Sequence, residues 1–479
     1  MVLLIMASVL FSAFSLYTQS VRLDESQSIW VATKSAGDIF YLMSQDVHPP
    51  LYNLLLHFWV QVFGTDIVFA RTLSLAFFLL TLPFIFVLAK EAAGYSVAYL
   101  TTVLFALSPF ALWYSSETRM YMLFTLATTW SNIYFLRVFR SRGGQGKVGY
   151  LLATTLGLYT HYFFLLVVFV QTVYIFFKCL AQKRFILLFL ALLTPPFLIF
   201  LPWAIYFLSH GLAASSQPVL ARPSAYNLFQ TFSDFLFGFQ NRTIEGVLVS
   251  LWPLLVIFLF FTFTRGGKIA GRDIDYFFLI TFAPIILVFM ASFIRPVYLS
   301  RYLIFVLPTL FFLIAWSLSG FSGRMARFLI VGLLVIMVGL LLYQDFTSST
   351  PAEENYRGVA NYLSQNATPG DIIAVSAPFT VYPLEYAYTG HARIDTIPNW
   401  DRYVQGPIPP FTLAGLTDQL NSYKTEYARL FLVLSYDQGY ESRIRNYLDT
   451  HYQMLKEKKF ANGIDLRVYR LRYDIPESF

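Results

Sequence analysis

Long runs of apolar residues recur along the first 343 positions of the chain. Most are long enough for a helix to cross a bilayer core of roughly 30 Å. One such run could be a removed signal peptide, but about ten such runs cannot all be. The pattern therefore predicts a polytopic α-helical membrane protein. Its predicted spans are 1–20, 67–89, 94–113, 119–136, 148–160, 162–180, 185–208, 243–264, 274–294, 302–320 and 328–343.

Two stretches do not fit a simple series of spans. Residues 148–180 are too few for two full spans and too many for one, so we expect a short hairpin with His161 at its tip. A single crossing there would instead place the C-terminal region in the cytoplasm. The apolar stretch LYNLLLHFWVQVF, residues 51–63, is too short to span and is expected to lie in the outer interface.

From about residue 344 the composition changes, and Pro, Asn, Gly and charged residues return. ENYRGVANYLSQN and YESRIRNYLDTHY have the pattern of helices, whereas DIIAVSA, ARLFLVLS and IDLRVYRLR have that of short strands. Alternating helices and strands predict a small α/β domain. We therefore expect two domains, a transmembrane domain at 1–343 and a soluble α/β domain at 344–479.

Charge then suggests how the chain is oriented. Of the 34 Lys and Arg residues and 27 Asp and Glu residues, 21 and 11 lie in 1–343, whereas 13 and 16 lie in 344–479. The basic excess falls in five loops, at 90, 137–147, 178–184, 265–272 and 324–327, and the positive-inside rule places these in the cytoplasm. The excess thus indicates topology and not nucleic-acid binding. It predicts a cytoplasmic N-terminus and an extracytoplasmic C-terminal domain in the cytoplasmic (inner) membrane. The single cysteine, Cys179, excludes a disulfide framework and a cysteine-based zinc site.

A second set of ionisable residues lies on the predicted outer side: Asp24, Glu25, Asp46, His48, Glu117, Arg119, His161 and Arg301. Each has an ordinary interpretation, such as a solvated loop, a helix start at Pro50, an ion pair or an interfacial anchor. Charges at membrane depth are also functional candidates. Carboxylates can act as a general base or hold a cation, and Arg binds phosphate with two parallel hydrogen bonds. The set suits an enzyme that handles a lipid-borne phosphate at the interface.

The order of these motifs resembles a known superfamily. Asp24-Glu25 follows the first span, and then come HPPLY at 48–52, ARTLSLAFF at 70–78, ETRMY at 117–121, THY at 160–162 and RYL at 301–303. This order resembles the GT-C superfamily of integral-membrane glycosyltransferases. The resemblance is to the bacterial, family-39-like branch related to protein O-mannosyltransferases and lipid A aminoarabinose transferases. It implies a bundle of about 11 transmembrane helices with an interfacial helix in the first outer loop.

The resemblance also implies an activity, the transfer of a sugar from a polyprenyl-phosphate carrier on the outer face, usually with inversion. It implies that Asp24 is the base and that Glu25 supports it. It assigns His48, Arg119 and Arg301 to the donor phosphate, although His48 stands where relatives have lysine. Asp46, Glu117 and His161 are then expected to bind substrate or a divalent cation, which some relatives use and others do not.

Two other functions remain open from the sequence. A transporter or flippase for a lipid-linked substrate would tend to show internal repeats and charges near the bilayer midplane. An assembly scaffold would not need the acidic, Arg and His residues. The expected partners are the polyprenyl-phosphate sugar, the bilayer and an acceptor that is protein, lipid or cell-wall glycan, with no nucleic acid. We attribute the sequons NRT at 241–243 and NAT at 366–368 to chance.

Overall fold

The computed structural model forms two compact units. The first comprises residues 1–18, 47–209 and 220–351, and the second comprises residues 19–46, 210–219 and 352–479. Within these bounds the structure describes residues 10–12, 16–17, 19–142, 144–210, 221–265, 272–321, 323–346, 354–402, 408–460 and 463–472. The predicted span 1–20 thus lies mostly outside the described residues; of those that are described in it, 10–12 and 16–17 are helical and 19–20 are not.

Helices make up most of the chain before residue 346. They are α1 (Leu23–Ala32), α2 (Ala36–Ser44), α3 (Leu51–Phe63), α4 (Ile67–Ala93), α5 (Tyr95–Ala106), α6 (Pro109–Ser115), α7 (Tyr121–Arg140), α8 (Lys147–Thr160), α9 (Phe164–Lys178), α10 (Lys183–His210), α11 (Ala225–Phe237), α12 (Arg242–Arg265), α13 (Ile274–Ala291), a 3₁₀ helix (Ser300–Val306), α14 (Leu307–Ser319) and α15 (Gly323–Phe346). The short helix predicted at 51–63 has the bounds of α3.

Several of these helices are long and apolar enough to cross a membrane, and the chain is a multi-pass membrane protein. Within the described part of the chain there are five: Ile67–Ala93, Lys183–His210, Ile274–Ala291, Ser300–Ser319 and Gly323–Phe346. The number rises to as many as seven if two bent pairs each count as one span. These pairs are α5 with α6, bent by 60°, and α11 with the first part of α12, bent by 102°. The count of about 11 spans and the orientation in the membrane stay predictions.

The hairpin predicted around His161 is present. Helix α8 ends at Thr160 and α9 begins at Phe164. Tyr150 near the start of α8 donates a 2.7 Å hydrogen bond to Gln171 in the second half of α9, so the two helices run antiparallel. The turn is tight because Gly157 lies against the ring of Phe164. A Cβ at Gly157 would be only 2.1 Å from the Phe164 Cδ2.

Ion pairs join several of the basic loops that the sequence assigned to one side. Glu91 pairs with Arg137 and Arg140, and Arg140 Nε also lies 2.8 Å from Asp273. Lys178 pairs with Asp275. These contacts bring the loops that follow α4, α7 and α9 and the loop before α13 together at one end of the first unit.

The second unit contains a five-stranded sheet. Its further elements are α16 (Tyr356–Asn366), β1 (Asp371–Ser376), α17 (Val381–Ala387), β2 (Arg393–Thr396), α18 (Leu413–Glu426), β3 (Arg429–Leu434), α19 (Glu441–His451), β4 (Gln453–Phe460) and β5 (Ile464–Arg470). The strand order is β2-β1-β3-β5-β4. Strand β1 pairs in parallel with β2 and β3, whereas β5 pairs antiparallel with β3 and β4.

Both faces of the central strands are covered. Every residue of β1 is buried, as expected for a strand with helices on both sides. Ile373 and Val375 pack with residues of α16 and α17, and the alternate residues Ile372 and Ala374 pack with residues of α18 and α19. The outermost strand β4, QMLKEKKF, is exposed and rich in lysine, which discourages pairing with another chain.

The α/β character predicted for the C-terminal region is confirmed, and each of its five predicted elements is present. Strands β2 and β4 and helices α17 and α18 were not predicted. Neither was the grouping of residues 19–46, which carry Asp24 and Glu25, with the C-terminal residues in one compact unit. The domain boundary between 343 and 344 stays a prediction.

Candidate functional site

Two histidines and an arginine meet in the first unit. The rings of His48 and His161 are 5.1 Å apart in an edge-to-face arrangement. Nη2 of Arg119 lies 3.5 Å from Nδ1 of His48. All three side chains are buried, with 7% or less of their surface exposed. The structure therefore brings together three residues that are more than 40 positions apart in the sequence.

His48 is placed by the two prolines that follow it. Pro50 is the N-cap of α3, and Pro49 restricts the backbone of His48. A guanidinium can only donate a hydrogen bond, so Nδ1 of His48 accepts from Arg119. The ring is then neutral with its proton on Nε2. At the position where relatives have lysine, this chain therefore presents a neutral N–H donor.

Arg119 lies in the buried turn between α6 and α7. Its backbone N–H donates to the carbonyl of Glu117 at 2.7 Å. Its own carbonyl accepts a 3.2 Å hydrogen bond from Ser74, and the hydroxyls of Ser74 and Tyr52 are 2.8 Å apart. Tyr52 belongs to HPPLY and Ser74 to ARTLSLAFF, so both motifs help to hold the Arg119 turn. Glu117 is 3% exposed in the same turn.

His161 caps the end of α8. Its ring stacks on Phe124, with 4.7 Å between centroids and 6° between planes. Nδ1 accepts a 3.1 Å hydrogen bond from the backbone N–H of Phe163, so the ring proton lies on Nε2. That Nε2 is buried and has no hydrogen-bond partner among the described residues. A buried N–H donor of this kind is expected to bind a ligand or water.

Tyr302 completes the cluster, and the sequence did not single it out. Its ring lies edge-on to His48 at 5.7 Å and to His161 at 5.4 Å. The guanidinium carbon of Arg301 is 5.7 Å from the same ring. The signal was available, because Tyr302 is the middle residue of RYL. We call these residues, His48, Arg119, His161, Arg301 and Tyr302, the cation cluster.

Asp234 is a second residue that the sequence did not identify. This carboxylate of α11 is 5% exposed and accepts a hydrogen bond from the hydroxyl of Ser300, the residue before Arg301. One turn earlier, the hydroxyls of Thr231 and Tyr298 are 2.9 Å apart. Helix α11 therefore contacts and holds the segment that precedes Arg301. The signal was a carboxylate, the only charged residue of this helix.

The predicted acids of the first loop belong to the second unit. Glu25 is fully buried, and its Oε2 accepts a 3.1 Å hydrogen bond from the backbone N–H of Arg22, which caps α1. Asp24 is half-buried in the first turn of the same helix. Asp46 is half-buried just after α2, and its backbone N–H donates to the carbonyl of Met43.

A divalent-cation site requires several oxygen or imidazole ligands converging on one point. Among the described residues, no group of three or more His, Cys, Asp or Glu side chains is arranged in this way. The expectation that Asp46, Glu117 and His161 bind substrate or a divalent cation stays a prediction.

Comparisons with known proteins agree with the resemblance seen in the sequence. Residues 47–206, about a third of the chain, match the family dolichyl-phosphate-mannose-protein mannosyltransferase. No curated protein matches the chain. Two crystal structures of ArnT from Cupriavidus metallidurans are similar over nearly all of both chains. The apo form has a TM-score of 0.65 at 14% identity and covers 98% of this chain and 97% of that one. The form bound to undecaprenyl phosphate has a TM-score of 0.62 at 16% identity, and the match covers 99% of each chain.

More distant structures share the fold as well. The Archaeoglobus fulgidus oligosaccharyltransferase in complex with Zn and sulfate has a TM-score of 0.53 at 13% identity, covering 99% of this chain and 74% of that one. The mycobacterial arabinofuranosyltransferase AftD has 0.54 at 14% identity, covering 98% and 39%. These similarities establish the architecture of the chain.

Proposed function

We propose, starting from the GT-C fold that this multi-pass chain has, that it is a membrane glycosyltransferase. It would move a sugar from a polyprenyl-phosphate donor to a hydroxyl group of an acceptor. The observation that carries the proposal is the cation cluster. It combines buried Arg119 with two neutral histidines whose protons both lie on Nε2. Such a set donates hydrogen bonds and offers positive charge, as a phosphate oxyanion requires.

The two arginines and the two histidines of the cluster then each have a role toward the leaving group. Arg119 and Arg301 neutralise the phosphate charge, and His48 and His161 donate from Nε2 to its oxygens. As the bond between the anomeric carbon and the phosphate oxygen breaks, negative charge grows on that oxygen. Donors already in position stabilise this charge without reorganising. The lipid phosphate can then leave without being protonated.

The acceptor oxygen requires a base, and we assign this role to Asp24. Its carboxylate takes the hydroxyl proton while the oxygen attacks the anomeric carbon from the face opposite the phosphate, which inverts the configuration. Glu25 helps to position Asp24, because its hydrogen bond from the N–H of Arg22 holds the start of α1. In the overall reaction, the sugar donor and the acceptor hydroxyl give the glycoside and the free lipid phosphate. The proton taken from the hydroxyl passes from Asp24 to water.

Location and substrates follow from the sequence and the comparisons. The basic loops favour an outer-face reaction at the cytoplasmic membrane, with the second unit extracytoplasmic. ArnT has been crystallised with undecaprenyl phosphate, and this supports a polyprenyl-phosphate carrier here. The acceptor remains one of three classes: a protein, a lipid or a cell-wall glycan.

Asp24→Asn tests the assignment of the base. A general base contributes about 10²- to 10⁴-fold, so the rate of transfer should fall at least about 100-fold. Binding of undecaprenyl phosphate should stay within about threefold of wild type, because the cation cluster is intact. The rate is measured as new glycosidic product and free undecaprenyl phosphate, with purified full-length protein in vesicles supplied with a donor lipid extract.

Asp38→Asn is the matched control, since Asp38 is an exposed carboxylate in the same 19–46 segment. It should transfer at the wild-type rate. Transfer by Asp24→Asn within a few-fold of wild type would remove Asp24 from the reaction. A wild-type protein that moves the lipid between leaflets but forms no glycosidic bond would instead be a transporter.

A further inference from the structure

Helix α1, which carries Asp24, packs against the C-terminal part of the second unit. Trp30 on α1 lies 5.3 Å from the ring of Tyr382 in α17. The guanidinium of Arg402 lies 5.0 Å from the Trp30 ring and 5.1 Å from the Tyr382 ring. Arg402 is itself held by both carboxylate oxygens of Glu385, each at 2.6 Å. An arginine fixed in this way over two aromatic rings is a stable contact of the cation–π type.

A second contact holds the other end of the same helix. Oε2 of Glu354 accepts a 2.8 Å hydrogen bond from the backbone N–H of Leu23, the first residue of α1. The first N–H groups of a helix have no partner within the helix, and a carboxylate there also interacts favourably with the helix dipole. Leu23 is the residue next to Asp24, so this contact fixes the backbone on which Asp24 stands.

Tyr436 in turn orients Glu354. Its hydroxyl donates to Oε1 of Glu354. Tyr436 adopts a φ of 56°, in the left-handed region that a bulky side chain rarely occupies. Such a conformation persists only where the surrounding structure enforces it, and it is found more often at functional sites. Here it lies at the residue whose hydroxyl reaches Glu354.

We propose that the C-terminal domain is part of the catalytic apparatus, because Glu354, supported by Tyr436, and Arg402 position the helix that carries Asp24. The inference rests on the proposed function, in which Asp24 is the base. It assigns the α/β domain a role that its place in the sequence does not suggest. Glu354, Tyr436 and Arg402 are positioning residues that act through α1, and none of them is assigned to the substrate.

The electrostatic surroundings of Glu354 agree with a contact to α1. Burial raises the pKa of Glu354 from 4.5 to about 7. The hydrogen bonds from Tyr436 and from the N–H of Leu23 oppose this rise. The negative charge of Asp24 adds to the rise, and the positive charge of Arg22 opposes it. The phenol of Tyr356 also interacts electrostatically with this carboxyl. Asp24 and Arg22 both lie at the start of α1, so the charge of Glu354 interacts directly with that end of the helix.

The test compares Glu354→Ala with Glu354→Gln in the full-length protein. The alanine variant loses both hydrogen bonds. The glutamine variant can keep both, because its carbonyl accepts from Leu23 and its NH₂ group donates to the Tyr436 oxygen. A misplacement of about 1 Å can cost about 100-fold in rate. We expect kcat to fall at least about 10-fold in Glu354→Ala and less than about threefold in Glu354→Gln, while the Kd for undecaprenyl phosphate changes less than about twofold in both.

Hydrogen exchange supplies a readout that does not depend on activity. In Glu354→Ala, amides in the peptide spanning residues 23–33 should exchange at least about 10-fold faster than in wild type. Tyr436→Phe removes only one of the two hydrogen bonds and should shift exchange and kcat in the same directions by smaller amounts. It provides the same test if Glu354→Ala does not fold.

Asp449→Ala is the matched control. Asp449 accepts a hydroxyl hydrogen bond from Tyr469 and pairs with Arg467 in the same domain, far in sequence from α1. Its loss should lower stability without changing exchange in 23–33 or kcat. Unchanged exchange in that peptide in both Glu354→Ala and Tyr436→Phe would overturn the inference.

Faster exchange with a normal kcat would also overturn it, provided that Asp24→Asn is inactive. If Asp24→Asn is active, the proposed base has failed instead. The exchange data alone then decide whether the domain holds α1.

Discussion

Replacing Arg119 by alanine tests the cation cluster most directly. The side chain is 7% exposed, and its Nη2 reaches His48. The turn that carries it is held by backbone contacts, from the N–H of residue 119 to Glu117 and from the hydroxyl of Ser74 to the carbonyl of residue 119. These contacts do not use the guanidinium. The truncation therefore removes the charge and the donors while leaving the turn in place.

The size of the effect separates a phosphate ligand from a structural arginine. A hydrogen bond to a charged group contributes about 1.5–3 kcal/mol, which is about 10- to 150-fold in Kd. An arginine that makes only an exposed ion pair contributes about 0.2–1 kcal/mol, which is less than about sixfold. We therefore expect Arg119→Ala to weaken the binding of undecaprenyl phosphate by at least about 10-fold. Arg119→Lys should fall between this value and wild type, because it keeps the charge but not the planar fork.

The assay is equilibrium binding of labelled undecaprenyl phosphate to purified full-length protein in detergent, with thermal unfolding as a check of folding. Arg140→Ala is the matched control. Arg140 is a half-buried arginine of the same unit, and it pairs with Glu91 and Asp273 among the basic loops. The Arg140→Ala variant should have a lower melting temperature, but its Kd for undecaprenyl phosphate should stay within about threefold of the wild-type value. A folded Arg119→Ala that also binds within about threefold would refute the assignment of Arg119 to the phosphate.

Two further outcomes follow from the structure. Gly157→Ala should destabilise the protein by about 1–3 kcal/mol, because the new methyl group would meet the buried Phe164 ring at 2.1 Å; Gly332→Ala, with nothing within 4 Å, should not, and equal melting temperatures for both variants would contradict this. The pKa of Glu354 is raised to about 7 in the folded chain. The protonated carboxyl therefore stabilises the fold fully below about pH 4.5, and this stabilisation is lost as the pH rises toward 7. The free energy of unfolding should fall by at most about 3 kcal/mol over this range. Melting curves between pH 4.5 and 8 should therefore fall more steeply for wild type than for Glu354→Gln, and parallel curves would count against the shift.

Much of the local structure could be predicted from the sequence. The helix at 51–63, the hairpin around His161 and five elements of the C-terminal domain depend on hydrophobic period and turn residues, which are local signals. The exposed strand β4 was missed because a lysine-rich stretch at a sheet edge lacks the apolar alternation of a half-buried strand. The short strand β2 has only four residues, too few for a periodic pattern.

The motifs also identified most of the cation cluster, because charged residues beside apolar spans are rare enough to stand out. Tyr302 and Asp234 were missed for a different reason. A tyrosine among many aromatic residues, or one carboxylate in a helix of mixed apolar and polar residues, becomes informative only when its neighbours are known. Tyr302 gains significance from the His48 and His161 rings, and Asp234 gains it from Ser300.

The sequence by itself determined that this is a multi-pass membrane chain with a C-terminal α/β region, and it identified the arginines and histidines that the structure brings together. Only the tertiary structure showed that both histidines are neutral Nε2–H donors, because that depends on the partner of each Nδ1. The structure alone also grouped the Asp24 helix with the C-terminal domain. Glu354 and Leu23 are 331 positions apart, and a contact over that separation leaves no periodic pattern in the sequence, because it is made by the packing of the whole domain.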